Sequence, residues 1–137
     1  MISVRHTLPK KEILRGYQSF SNVLSGGKPY QQGIVRCFLL STVKKGAGIK
    51  VGFALARGIQ PAARRNRMKR LLRESYRKNK QILAETISSH GNEHHLVFMI
   101  VPEKKRGKEK SPILGDVERG VIALLKQVEF VLRTTPP

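Results

Sequence analysis

The chain is 137 residues long, 39% hydrophobic and only 6% aromatic, with 27 Lys and Arg against nine Asp and Glu and a formal charge of +18. That length suits one hydrophobic core and is short for two, while self-repulsion on this scale is tolerable mainly for a protein that works on an anionic surface, nucleic acid or membrane. No stretch approaches the roughly 20 apolar residues of a bilayer span, the N-terminus lacks the apolar run of a signal peptide, and the lone Cys37 cannot close an internal disulfide, so a cytoplasmic protein that does not enter the membrane is expected.

Residues 1–137 read as a single domain with frayed ends at 1–9 and 134–137. Past Pro9, Ile13, Tyr17, Phe20 and Leu24 recur at the spacing of a helix face; Gly16 delays the regular helix to Tyr17 and Gly26-Gly27 stops it. Pro29, which lacks a backbone donor, restricts Lys28-Pro29-Tyr30 to an edge strand. Residues 34–43 predict a strand with two unlike faces, Val35, Cys37 and Leu39 on one, and Ile34, Arg36, Phe38, Leu40 and Thr42 on the other. In that company Cys37 reads as a buried small hydrophobe. After a Lys-Gly turn at 44–48, residues 50–56 place Val51, Phe53 and Leu55 on one face and Gly52, Ala54 and Ala56 on the other, which leaves the second face open to a bulky neighbour.

Pro61 suits the opening turn of the segment that follows. Residues 63–78 hold eight cations and one acid, and at about 100° per residue they divide cleanly. Arg64, Met68, Leu71, Leu72, Ser75 and Asn79 share one arc, whereas Arg65, Asn66, Lys69, Arg70, Arg73 and Arg77 lie opposite. Like charges four residues apart (Arg65 with Lys69, Lys69 with Arg73, Arg73 with Arg77) each cost a few tenths of a kcal/mol, and only Glu74 with Lys78 relieves them. Bound phosphates reverse that penalty, so the helix predicts a polyanionic partner. Helical pattern continues through Ile82, Leu83 and Ile87, residues 88–92 break it, and 95–101 form an apolar run suited to a central strand. A flexible basic loop is expected over 102–112, and Val117, Val121, Leu124, Leu125, Val128 and Leu132 mark a last amphipathic helix. The order is helix, three strands, helix, strand, helix.

Catalytic groups are sparse. His6, His90, His94 and His95 share no zinc spacing with Cys37, and adjacent His94 and His95 would point to opposite faces of a strand. The nine acids are scattered, with Asp116 the single aspartate, whereas two-metal hydrolysis needs converging carboxylates. No Walker-type phosphate loop is present. The expectation is a binder with no catalytic residue, protein-bound metal or cofactor of its own, its chemistry carried by a partner. A structural RNA-binding protein of ribosomal type and a DNA-binding regulator using the charged helix in a major groove are the alternatives; a protein nuclease would require the acids to converge.

Two linked stretches are more specific: Lys50-Val51-Gly52-Phe53-Ala54-Leu55-Ala56-Arg57, then Ala62-Ala63-Arg64-Arg65-Asn66-Arg67-Met68-Lys69-Arg70-Leu71-Leu72-Arg73. They resemble the protein component of bacterial ribonuclease P, whose signature is a Val-Gly strand followed by an Arg-Asn-Arg-x-Lys-Arg-x-x-Arg helix; Leu14-Arg15 with Phe20, Leu24 and Gly27 is similar to that family's first helix. The resemblance implies an α+β sandwich with a four-stranded sheet, a left-handed β-α-β crossover through the basic helix, and a likeness to a ribosomal-protein domain. It also implies a catalytic RNA subunit that, with its own Mg2+, removes the 5′ leader from precursor tRNA. The protein binds the leader and steadies the complex, and no obligatory protein partner is expected. By position, Arg65, Asn66, Arg67, Lys69, Arg70 and Arg73 would meet the catalytic RNA, while Arg15, Phe20, Leu24, Arg36, Phe38 and Arg57 would line the leader path. The chain departs from the family where Arg57-Gly58-Ile59-Gln60-Pro61-Ala62-Ala63 replaces the usual Lys-Lys-x-Gly-Asn-Ala-Val, where Leu24 replaces an aromatic, and in a longer 102–112 loop.

Overall fold

Alternating apolar residues build a four-stranded mixed sheet. The computed structural model describes residues 8–45, 48–55, 62–88, 92–101 and 114–134. Its strands are β1 (Lys28–Gln32), β2 (Val35–Lys45), β3 (Ile49–Leu55) and β4 (Asn92–Ile100), in spatial order β1-β2-β4-β3. β1 pairs antiparallel with β2 and β2 with β4, whereas β3 runs parallel to β4. The helices are α1 (Tyr17–Gly26), α2 (Ala62–Asn79), α3 (Gln81–Ser88) and α4 (Leu114–Thr134), preceded by a 3-10 turn at Lys10–Glu12. This is the α+β architecture that the resemblance implies, with Pro29 on an edge strand as its missing donor predicts. Gly33 makes the β1-β2 hairpin possible: its φ of 60° at the first position of a two-residue loop, with no positive φ at Ile34, is the turn whose twist suits paired strands.

The two sheet faces take different layers. Val35, Cys37 and Leu39 of β2, Val51 of β3, and Leu96, Phe98 and Ile100 of β4 join Met68, Leu72 and Tyr76 of α2, Leu83 of α3 and the apolar stripe of α4 in the main core. Phe53, Tyr76 and Phe98 cluster with ring centroids 5.7 to 6.5 Å apart, in the range of favourable aromatic packing. Tyr76, which the charged-helix pattern assigned to neither face, is thus a core residue. Leu8, in the segment expected to fray, also packs against this core.

Val97 points the other way, into a smaller cluster with Leu14 and Val23, flanked by Phe20, Phe38, Leu40 and Ala54. Here the open face of β3 is filled: a Cβ at Gly52 would lie 2.5 Å from Cζ of Phe20, so the missing side chain seats the ring and with it α1.

Several local expectations are corrected. Ile13 is not on the α1 face. It forms a parallel bridge with Val51, and the Leu14 N–H donates to the Val51 carbonyl at 2.8 Å, so this segment covers the free edge of β3. The helix starts at Tyr17, as the sequence predicts, after Gly16 with its φ of 92°. Tyr17 is 88% and Leu24 38% exposed, because Phe20 and Val23 are the α1 residues turned to the sheet. The helical run after α2 divides at Lys80, whose ammonium lies 3.2 Å from both carboxylate oxygens of Glu12. β4 begins at Asn92, three residues earlier than its apolar run. The 102–112 segment and Arg57 to Pro61 lie outside the described residues.

Gly52→Ala should lower stability by about 1–3 kcal/mol, read as a lower thermal midpoint, because a methyl group there overpacks against Phe20. In a Phe20→Ala background the same change should cost much less. Burial raises the Cys37 thiol from its ordinary 9.0 to about 12, and raises the Tyr76 phenol in the same direction. The thiol should therefore resist alkylation until the chain unfolds. Its unfolded form ionises first, so the contribution of Cys37 to stability is complete below pH 9 and is lost as pH rises toward about 12, which denaturant titration at several pH values would measure.

Candidate RNA interface

α2 is anchored on one side and charged on the other. Met68, Leu72, Ser75 and Tyr76 are buried, and Ser75 and Asn79 on that face are hydrogen-bonded. Ser75 Oγ donates to the Leu71 carbonyl at 2.8 Å, while Asn79 Nδ2 donates to the Ser75 carbonyl at 2.8 Å and to Glu118 on α4 at 3.3 Å. With that side fixed, Asn66, Arg67, Lys69, Arg70 and Arg73 are exposed and Arg65 is half-buried. The sequence stripe is therefore a surface.

The described acids are engaged elsewhere. Glu74, the one acid of α2, accepts from Arg77 Nε at 3.0 Å and Nη2 at 2.6 Å, and this hydrogen bonding holds its carboxyl below the usual range despite some desolvation, with Arg77, Lys78 and Arg73 adding to the effect by charge. Elsewhere Glu12 meets Lys80, Glu93 meets Lys50 and His95, Asp116 meets Arg119, and Glu129 meets Arg133. Among the described residues none of these carboxylates pairs with Arg67, Lys69, Arg70 or Arg73. An arginine fork offers two parallel donors to a phosphate and lysine a point charge, so the surface suits a phosphodiester backbone.

The second set of expected site residues emerges on the opposite layer. Phe20 stands on Gly52, and Phe38 and Leu40 are half-buried beside it between α1 and the sheet. Arg15 is exposed just before α1 and Leu24 on its flank. Arg36 is half-buried and held by a residue that sequence reasoning missed. Gln31 directly opposite on β1 accepts from Arg36 Nε at 3.1 Å and Nη2 at 2.9 Å, and its own amide donates to the Gly33 carbonyl at 3.2 Å. Tyr17, exposed on the same side of α1 as Leu24, is a further aromatic surface; its 88% exposure could be found only once Phe20 and Val23 were known to face the sheet. Arg57 lies outside the described residues. The structure thus groups Phe20 and Phe38, sets Arg36 at the far end of β2, and separates all three from the α2 stripe by the thickness of the sheet.

His94 is buried, with Nδ1 2.9 Å from Ser41 Oγ, and His95 turns to the α1 side, as adjacent strand residues must. Among the described residues no group of three or more His, Cys, Asp or Glu side chains converges to hold a metal ion. None of the described helices is long and apolar enough to cross a membrane.

Comparison with known proteins agrees with this geometry. A family model described as Ribonuclease P matches residues 8–121. The ribonuclease P protein component of Dictyoglomus thermophilum is 35% identical over 81 residues, 59% of this chain and 66% of that protein. That of Pelotomaculum thermopropionicum is 31% identical over 120 residues, 87% and 94% of the two chains. The match spans just under two thirds of the Dictyoglomus proteins, 66% and 65% of their lengths. In three dimensions the chain is similar to the RNase P protein from Thermotoga maritima, with TM-score 0.59 and 24% identity over 85% of this chain and 96% of that one. The Staphylococcus aureus RNase P protein gives TM-score 0.62 at 14% identity, over 86% and 95%. At these identities the two structures establish the fold.

Because Lys69 sits four residues from both Arg65 and Arg73 and pairs with no described acid, Lys69→Ala should leave stability unchanged or raise it by a few tenths of a kcal/mol at low ionic strength. The gain should vanish in high salt, which thermal melts at two salt concentrations would show.

Proposed function

The chain belongs to the ribonuclease P protein family, and on that premise we propose that it is the RNA-binding subunit of a cytoplasmic ribonuclease P that removes the 5′ leader from precursor tRNA. In this reading the hydrolysis and the Mg2+ it requires belong to a catalytic RNA subunit, and the protein supplies binding and orientation. The observation that carries the proposal is the exposed set Asn66, Arg67, Lys69, Arg70 and Arg73, with no acid between them in sequence, on a helix whose other side is fixed in the core.

The two surfaces take different parts of the assembly. Arg65, Asn66, Arg67, Lys69, Arg70 and Arg73 dock on the catalytic RNA, where phosphates relieve the repulsion between like charges along the helix. Around α1, Phe38 offers a stacking platform, with Leu24 as an apolar neighbour and Arg15 and Arg36 as phosphate contacts for single-stranded leader. Arg57 extends that set by sequence position. Because the sheet separates the surfaces, the protein can hold both RNAs at once without competition for one set of cations.

Reconstitution tests this reading. The protein alone should not cut precursor tRNA, whereas at low Mg2+ it should restore cleavage by its catalytic RNA and tighten binding of leader-bearing substrate over a leaderless one. Phe38→Ala should reduce that leader-dependent gain by about 1–3 kcal/mol. Binding to the catalytic RNA should weaken with salt at a log-log slope of roughly −5 to −7, and Arg70→Ala should make the slope shallower by about one. A salt-independent affinity, or no distinction between the two substrates, would remove the basis for the assignment.

A further inference from the structure

Like α2, the last helix has two unlike sides. Its apolar stripe from Val117 to Leu132 is buried, and at about 100° per residue Arg119, Lys126, Phe130 and Arg133 lie together on the opposite side, within an arc of roughly 60°. All four are exposed, Phe130 by 56%. We propose that this stripe is a second docking surface for the catalytic RNA subunit, with an unpaired base stacked on Phe130 and the neighbouring cations on phosphates.

Composition is the first argument. One exposed aromatic ring alone needs no explanation on a protein surface. Phe130, however, follows Lys126 by one turn and precedes Arg133 by three residues, and an aromatic set among cations is the composition of a surface that takes unpaired nucleotides. Lys126 pairs with no described acid. Arg119 and Arg133 do have partners, Asp116 Oδ1 at 2.7 Å and Glu129 Oε1 at 3.4 Å, but exposed pairs of this kind hold weakly, so a phosphate competes for either guanidinium. A chain of formal charge +18 repels a second copy or a basic partner, which selects a polyanion as the occupant.

Construction is the second. Arg133 Cζ lies 5.6 Å from the centroid of the Phe130 ring, within cation-π range. Glu129 holds the same guanidinium from one turn earlier and itself accepts from Thr86 Oγ1 of α3 at 3.3 Å, while Thr134 Oγ1 donates to the Phe130 carbonyl at 2.9 Å. Ring and guanidinium are therefore partly ordered before anything binds, which lowers the entropy lost on association. Bulges and loops of folded RNA present unstacked bases to such aromatic rings and arginine planes.

Position identifies the RNA. α4 shares the main core with α2, and Asn79 Nδ2 of α2 donates to Glu118 of α4 at 3.3 Å. Both helices turn their cations away from that core, so an RNA docked over the α2 stripe lies on the side to which α4 also points, and the α1 surface is on the far side of the sheet. From Arg119 to Arg133 the stripe runs about 21 Å at 1.5 Å per residue, long enough for more than one phosphate contact. The choice of the catalytic RNA rests on the function proposed above; the surface itself does not.

The test is binding of the full chain to its cognate catalytic RNA, together with chemical probing of that RNA's unpaired bases. Phe130→Ala should weaken binding about five- to 150-fold, the loss of one stacked base, with the salt slope unchanged, whereas Lys126→Ala should make the log-log slope shallower by about one. Phe130→Trp should keep the affinity. Because both positions are exposed, the variants should melt at the parent midpoint. A base protected by the parent chain should become reactive with Phe130→Ala and remain protected with Phe130→Trp. Parent affinity and protection for Phe130→Ala, beside a weakened Arg70→Ala, would overturn the α4 surface and keep the proposed function; if neither variant weakens binding, both fall. A loss confined to precursor tRNA, or to self-association of the protein, names another occupant and overturns the proposal too. Should Phe130→Ala melt early, the Lys126→Ala slope decides: a shallower slope supports the surface and an unchanged one overturns it.

Discussion

β4 is the strand on which both layers depend. It pairs antiparallel with β2 on one side and parallel with β3 on the other, and residues on both its faces are buried. Leu96, Phe98 and Ile100 hold the α2-α3-α4 layer, and Val97 between them holds the α1 layer. A strand in this position must be apolar on both sides, because each face is a separate core. The consequence for function is geometric: whatever binds around α1 and whatever binds along α2 are held apart by one sheet and kept in fixed relation by it.

Charge obeys a second constraint. Nine acids cannot balance 27 cations, and five of the described acids are engaged by Lys80, Arg77, Lys50 with His95, Arg119 and Arg133. Two of these contacts join elements, Glu12 of the 3-10 turn to Lys80 between α2 and α3, and Glu93 of β4 to Lys50 of β3. Glu12 and Glu93 thus tie elements together, the other pairs stay within one helix or strand, and none of them involves the middle of α2.

Glycine and glutamine show how much of the site depends on contacts remote in sequence. The absence of a side chain at Gly52 was legible as an invitation to a bulky group, but nothing in the local pattern identified Phe20 as that group. Once Phe20 is seated there, Val23 faces the sheet while Tyr17 and Leu24 turn outward, which reverses the simple spacing rule for this short helix. Arg36 was legible as a cation on an apolar strand face, yet its restraint by Gln31 follows from the hairpin register set at Gly33.

By itself the sequence determined the strand alternation of β2 and β3, the edge position of β1, the two-sided character of α2 and the absence of a transmembrane helix among the described elements, because each follows from local spacing, proline chemistry or hydropathy. The tertiary structure decided what those elements meet: Ile13 on the free edge of β3, Tyr76 in the core, Lys80 against Glu12, and Lys50 with His95 around Glu93. These contacts join residues far apart in the chain, and periodicity carries no information about which distant partner fills a given face. Only sheet pairing and packing bring the partners together.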